Sequence, residues 1–244
     1  MPGMSTVYMV RHGQASFGQS NYDRLSDLGE RQSELLGEYW LRWNVSLDAV
    51  YTGTLERQRR SAEAAAEVYR AAGRSFPALV AIPGFNEYDS SAILTGSVPR
   101  VLAQHPEIAA LMKEIAPGGK PDLVGSKQNF QRVFSRIMNL WVEGKITVAG
   151  MESWQDFTGR VNRGLDQLMA EQGAGKTVAV ITSGGPVSAA MQRALDASDQ
   201  VALELGWVIA NSSVSEFRYS GDKFSLVSFN VTPHLERMEL ISYR

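Results

Sequence analysis

Val7-Tyr8-Met9-Val10-Arg11-His12-Gly13-Gln14 is a short apolar run that stops at arginine, histidine and glycine. An open α/β fold presents its reactive groups at the carboxyl edge of its sheet, where a strand ends and a glycine lets the backbone turn away. The run therefore predicts a first strand that delivers a cation and a nucleophile to that edge. Neutral imidazole can attack phosphorus, and a guanidinium can hold two phosphoryl oxygens in its planar fork. Taken alone, Arg-His-Gly could equally be an ordinary strand end, so the rest of the chain has to decide.

The alternation that follows is that of an α/β protein. Helix signals begin near Ser26 or Asp27, with Asp27 and Glu30 at capping-box spacing, and Leu28, Gln32, Leu35, Leu36 and Trp40 fall on one face. Leu47 to Tyr51 reads as a second strand. Thr54 is the expected N-cap of a helix that runs to about Ala72 and carries Arg57 as its third residue. A side chain there sits beside unsatisfied N–H groups and the positive end of the helix dipole, so an anion would meet guanidinium and helix terminus together. Arg59 and Arg60 point away from that direction and are expected to face solvent.

Leu79 to Ile82 predicts a third strand, ending at Pro83-Gly84. Phe130, Val133, Phe134, Ile137, Leu140 and Trp141 recur at helical spacing and predict a buried helix within an inserted region of about residues 88–150. Ser153 and Asp156 form a second capping-box pair before a helix to about Glu171, with Gly173 and Gly175 as its stop. Thr177 to Thr182 is the nearly continuous apolar run of a buried parallel strand. Pro186 can open the next helix, because its missing N–H costs nothing in a first turn. Ser213 to Tyr219 and Phe224 to Phe229 flank Ser220-Gly221-Asp222-Lys223 as a hairpin.

Composition narrows the chemistry. The 244 residues suffice for one large domain with an insertion, and a formal charge of −2 gives no global reason to expect nucleic acid or an anionic membrane as partner. Having no cysteine, the chain has neither disulfides nor thiolate chemistry. Met1 to Thr6 lacks the charged and apolar regions of a signal peptide, and no apolar run reaches membrane-spanning length. A cytoplasmic protein is expected.

Joined to the opening motif, Leu55, Arg57, Ser61, Ala62 and Glu63 make the chain resemble the histidine phosphatase superfamily, whose best-known branch is the cofactor-dependent phosphoglycerate mutases. The resemblance continues through Leu25-Ser26-x-x-Gly29-x-x-Gln32, Glu152-Ser153-Trp154-x-x-Phe157, Thr182-Ser183-Gly184-Gly185 and Asn230-x-x-x-His234-Leu235. It covers nearly the whole chain outside about residues 88–150. It implies a single three-layer α/β domain over residues 1–244, with a mostly parallel sheet flanked by helices and a helical lid insertion. It also implies that Glu87, after the third strand, is the acidic proton donor. One departure stands out: the family has a second histidine before the Gly-Gly pair, where this chain has Ser183.

The resulting expectation is a metal-independent phosphatase of small phosphomonoesters that needs no cofactor. His12 would become a phosphohistidine, Arg11 and Arg57 would hold the dianion, and Glu87 would protonate the leaving oxygen. Gln14, Ser183 and the Gly184 N–H are further candidates for phosphate contacts, and His234 is a candidate to supply the missing imidazole. Its bland alternative is a capping or core histidine, and His105 is expected to be structural or exposed. Restoring histidine at position 183 would, on this reading, raise activity modestly. Two other functions compete. One is a weakened protein that binds a phosphorylated ligand without turnover. The other is a mutase, disfavoured because Tyr88-Asp89-Ser90 follows Glu87 in place of a carboxylate-binding segment.

Overall fold

A computed structural model of the chain describes residues 3–16, 23–106, 108–110 and 127–243. In order they form β1 (Ser5–Arg11), α1 (Asp27–Arg42), β2 (Ala49–Thr52), α2 (Glu56–Ala71), β3 (Leu79–Ala81) and a 3-10 turn, Pro83–Phe85. Next come α3 (Ser90–Gln104), α4 (Lys127–Val142), α5 (Trp154–Gln172), β4 (Thr177–Thr182), α6 (Gly184–Leu195) and α7 (Asp199–Val208). The hairpin strands β5 (Val214–Ser220) and β6 (Lys223–Val231) follow. The chain divides into two compact units, residues 1–87 with 158–244, and Tyr88–Phe157.

The first unit is built on a mixed sheet in the order β3-β2-β4-β1-β5-β6. Strands β1, β2, β3 and β4 run parallel, whereas β5 lies antiparallel to β1 and to β6. The strand expected from the opening run is thus the centre of the sheet, and the continuous apolar run of β4 is its parallel neighbour, with Arg11 opposite Thr182. Val10, Val50, Ala179, Ile181 and Val214 share a core with Leu36 and Trp40 of α1 and Ala62 and Tyr69 of α2. These two helices approach closely at Gly37, where a Cβ would lie 3.0 Å from the carbonyl oxygen of Ala65.

In the second unit α3 packs on α4. The predicted stripe of α4 is buried at Val133, Phe134, Ile137, Leu140 and Trp141, while the side chain of Phe130 lies outside those described. Trp141 meets Tyr88 and Trp154 at ring-centroid distances of 5.0 and 5.6 Å. His105 ends α3, its N–H bonded to the carbonyl of Val101.

Local expectations met three kinds of outcome. The Ser153–Asp156 capping box is formed reciprocally, with Asp156 N–H on Ser153 Oγ at 3.1 Å and Ser153 N–H on Asp156 Oδ2 at 3.2 Å. At α1 the cap is Ser26, whose Oγ accepts the Gly29 N–H at 3.1 Å, because Glu30 is drawn instead to Arg60 at 2.9 Å. Arg60 therefore does not face open solvent; it binds Glu30 of α1 and Glu67 of its own helix. For α2 the expected Thr54 cap gives way to Leu55, which caps with no side-chain bond and makes Arg57 the second helical residue. Thr54 is occupied by Asn86, which takes its N–H at 2.6 Å and donates to its Oγ1 at 2.7 Å. The orphan Glu56 N–H goes instead to Asp23 Oδ2 at 2.7 Å.

Candidate active site

The turn after β1 is set by two glycines. A Cβ on Gly13 would collide with the Gly29 carbonyl oxygen, and a Cβ on Gly29 would collide with the carbonyl of Gln14. The start of α1 therefore rests directly on the Arg-His-Gly turn. Gln32, fully buried, reinforces the junction by accepting the Gln14 N–H at 2.8 Å and donating to Leu240 O at 2.7 Å. Gly13 N–H is taken by Ser61 Oγ of α2 at 3.0 Å. The spaced pairs singled out in the sequence, Gly29 with Gln32 and Ser61 with Arg57, are thus the supports of one turn.

On that turn His12 is 3 % exposed. Its Nδ1 lies 2.7 Å from the Gly13 carbonyl oxygen, and its Nε2 lies 3.0 Å from Arg57 Nε. A carbonyl only accepts and a guanidinium only donates, so Nδ1 carries the proton and Nε2 presents its lone pair. Burial holds the His12 pKa well below its usual 6.5, and the charges of Arg57 and Arg11 lower it further. The imidazole is neutral at physiological pH.

Arg57 is anchored on its other side by Asp23, with Nη1 on Oδ1 at 2.6 Å. One carboxylate thus caps α2 and aims its arginine. Arg11 donates through Nη1 to the Ile209 carbonyl. The loop that supplies this carbonyl is pinned by Asn230, which accepts Ala210 N–H and donates to Val208 O, both at 2.8 Å.

Glu87 comes to the same edge. Its Oε2 accepts the Gly185 N–H at 3.0 Å, in the first turn of α6. Gly184 is buried near these groups: a Cβ there would stand 3.9 Å from Arg11 Nε and 4.0 Å from Glu87 Oε2. The segment leading to Glu87 is held by Arg160, which donates to Gly84 O at 2.9 Å and Asn86 O at 2.7 Å. Thr182 Oγ1 and Gln58 Nε2 both donate to Phe85 O.

Among the other candidates, Gln14 turns its amide oxygen to Ser26 Oγ at 2.8 Å, which ties it to the cap of α1. Ser183 is 1 % exposed, and its Oγ accepts from Gln58 Nε2 at 2.8 Å. His234 is not brought to Ser183. Its Nε2 meets Ser212 Oγ at 2.9 Å, and Ser212 in turn donates its N–H to the His12 carbonyl at 3.2 Å. The family motif at Asn230 and His234 therefore buttresses Arg11 and His12 from behind. Asp23, Gln58 and Arg160 were missed in the sequence. Their partners are remote in the chain, and only the position of Gln58 directly after Arg57 offered a signal.

The sequence profile of the histidine phosphatase superfamily (branch 1) matches residues 7–141 and 100–232, and the chain belongs to that superfamily. Solved structures repeat its fold at low identity. A phosphoglycerate mutase from Bacillus anthracis superposes with a TM-score of 0.62 at 17% identity, covering 96% of either chain. YhfR from Bacillus stearothermophilus gives 0.64 at 18%, over 95% of this chain and 100% of that one. A putative α-ribazole-5′-P phosphatase from Escherichia coli gives 0.61 at 17%, over 93% and 97%. No curated protein sequence matches the chain.

Proposed function

We propose that the protein is a metal-independent phosphatase of small phosphomonoesters that works through a phosphohistidine on His12. The observation that carries this reading is the buried, neutral His12, whose Nε2 lone pair faces the guanidinium of Arg57 while Nδ1–H is committed to Gly13 O. An incoming phosphoryl group takes over Arg57 and Arg11, which neutralise its oxygens bidentately. The Nε2 lone pair attacks phosphorus, the P–O ester bond breaks, and the leaving oxygen receives a proton from Glu87, which enters this step as the carboxylic acid and leaves it as the carboxylate. In the second step water attacks the phosphohistidine, the P–N bond breaks, and Glu87 takes the proton from water. Both steps balance without any further reactant.

Ligand binding without turnover is the competing reading, favoured by Ser183 standing where the family places an imidazole. Phosphate release from a generic aryl phosphate, measured beside a His12→Ala control, separates the two. We expect release from the parent only, with acid-labile phosphate trapped on His12. Equal release from both proteins, or label on His105 or His234 instead, refutes the assignment.

A further inference from the structure

Ser183 does not simply leave a gap where the family has histidine. Its hydroxyl lies against a fully buried glutamine that follows Arg57 in the first turn of α2, with Gln58 Nε2 2.8 Å from Ser183 Oγ. Gln58 Nε2 also lies 3.0 Å from Phe85 O. That carbonyl decides which way round the amide sits, since an oxygen turned toward Phe85 O would oppose it without a hydrogen. The –NH2 group therefore faces Ser183. A hydroxyl that accepts from Gln58 keeps its own hydrogen for another acceptor, and among the described residues Ser183 Oγ has no other partner.

The residues on either side of Ser183 border the candidate site. Thr182, the residue before it, accepts the His12 N–H at 2.8 Å, and Gly184, the residue after it, borders Arg11 and Glu87. The Ser183 side chain makes no cap bond to α6. Space has been cleared for the glutamine as well: a Cβ on Gly53 would collide with Gln58 Oε1.

We infer that Gln58 is a positioning residue that turns the Ser183 hydroxyl into a donor toward a phosphoryl oxygen bound at His12. The two side chains together fill the place of the family's second histidine. This inference rests on the phosphoryl-transfer reading of the site. It also reverses the expectation for Ser183→His. With both side chains buried and in contact, an imidazole at 183 overpacks against Gln58 and cannot add a donor unless the glutamine is shortened.

The test is a double-mutant cycle of Gln58→Met and Ser183→Ala, reading kcat and KM on an aryl phosphate together with orthovanadate binding. Acting through Ser183, Gln58→Met lowers kcat about tenfold, the value of one hydrogen bond to a charged group, with KM little changed. It lowers kcat no further once Ser183 is alanine. Losses that multiply in the double variant, or a Gln58→Met protein with parental kcat, overturn the inference. Should Gln58→Met fail to fold, the swap decides: Ser183→His alone falls below the parent, and Ser183→His with Gln58→Ala returns to it or exceeds it. A swap no better than Ser183→His alone overturns the inference. A parent protein that neither releases phosphate nor binds vanadate overturns the phosphatase reading itself, whereas an active parent with an additive cycle overturns the role of Gln58 alone.

Discussion

In the proposed reaction His12 concentrates the chemistry, and three features of its surroundings agree on one protonation state. Its carbonyl partner fixes the tautomer, its burial disfavours charge, and two arginines repel a proton. A nucleophile whose pKa is depressed stays competent as pH falls through its ordinary value and is lost only on passing its own lowered pKa. The acid limb of kcat/KM, measured against pH, is therefore expected well below pH 6.5; a limb centred near 6.5 would contradict the buried neutral imidazole. Arg57 acts by geometry as much as by charge, since Nε meets His12 while Nη1 meets Asp23. Lysine offers one ammonium and cannot span both. Arg57→Lys should reduce kcat/KM about a hundredfold or more, close to Arg57→Ala, and full activity in the lysine variant would place Arg57 outside the machinery.

At the scale of elements, the site depends on how closely the start of α1 can approach the turn after β1. Gly13 and Gly29 face each other with no room for a Cβ on either. Gly29→Ala keeps good helix propensity, so any loss of stability must come from the collision. We expect a destabilisation of about 2 kcal/mol or more by denaturant unfolding, and a neutral or stabilising result would show that the junction yields. The β4 run, the hairpin and the Ser153–Asp156 box were legible in the sequence because their causes lie within a few residues of each other. The cap of α2 was not legible. Asp23 reaches Glu56 and Arg57 across the fold, and spacing alone suggested Thr54, which Asn86 had already engaged. Arg60 escaped for the same reason, its partner Glu30 being on another helix. Of the candidate site, the sequence displayed Arg11, His12, Arg57 and Glu87, while the groups that hold their surroundings in place, Asp23 on Arg57, Gln58 on Ser183 and Arg160 on the segment before Glu87, became visible only once segments distant in sequence were brought together.

Across the whole molecule, the buried histidines tie folding to pH. Burial lowers His234 to about 4, and His12 is depressed in the same direction. A histidine with a lowered folded pKa binds fewer protons folded than unfolded, so its contribution is fully present above the unfolded value near 6.5 and is lost as pH falls toward the folded value. For His234 that window runs from about 6.5 to about 4, and the loss across it is on the order of 3 kcal/mol. Urea unfolding over this range should show stability falling with acid, with a shallower slope in His234→Gln. An unchanged slope in that variant would mean that His234 is not held neutral. No helix among the described residues is long and apolar enough to cross a membrane.

The central place of β1 also bears on how the chain is made. Its partners are β4 and β5, and Thr6 pairs with Thr177 and Arg218. A ribosome adding about 5–20 residues per second needs on the order of ten seconds to supply those partners after β1 emerges. Through that interval the apolar run of β1 has neither edge covered, and His12 has no Thr182 carbonyl to receive its N–H. The nascent protein therefore passes through a stage in which the apolar run of β1 and the His12 that ends it wait together, unpaired. Synthesis speed and chaperone supply should accordingly govern the yield of active protein.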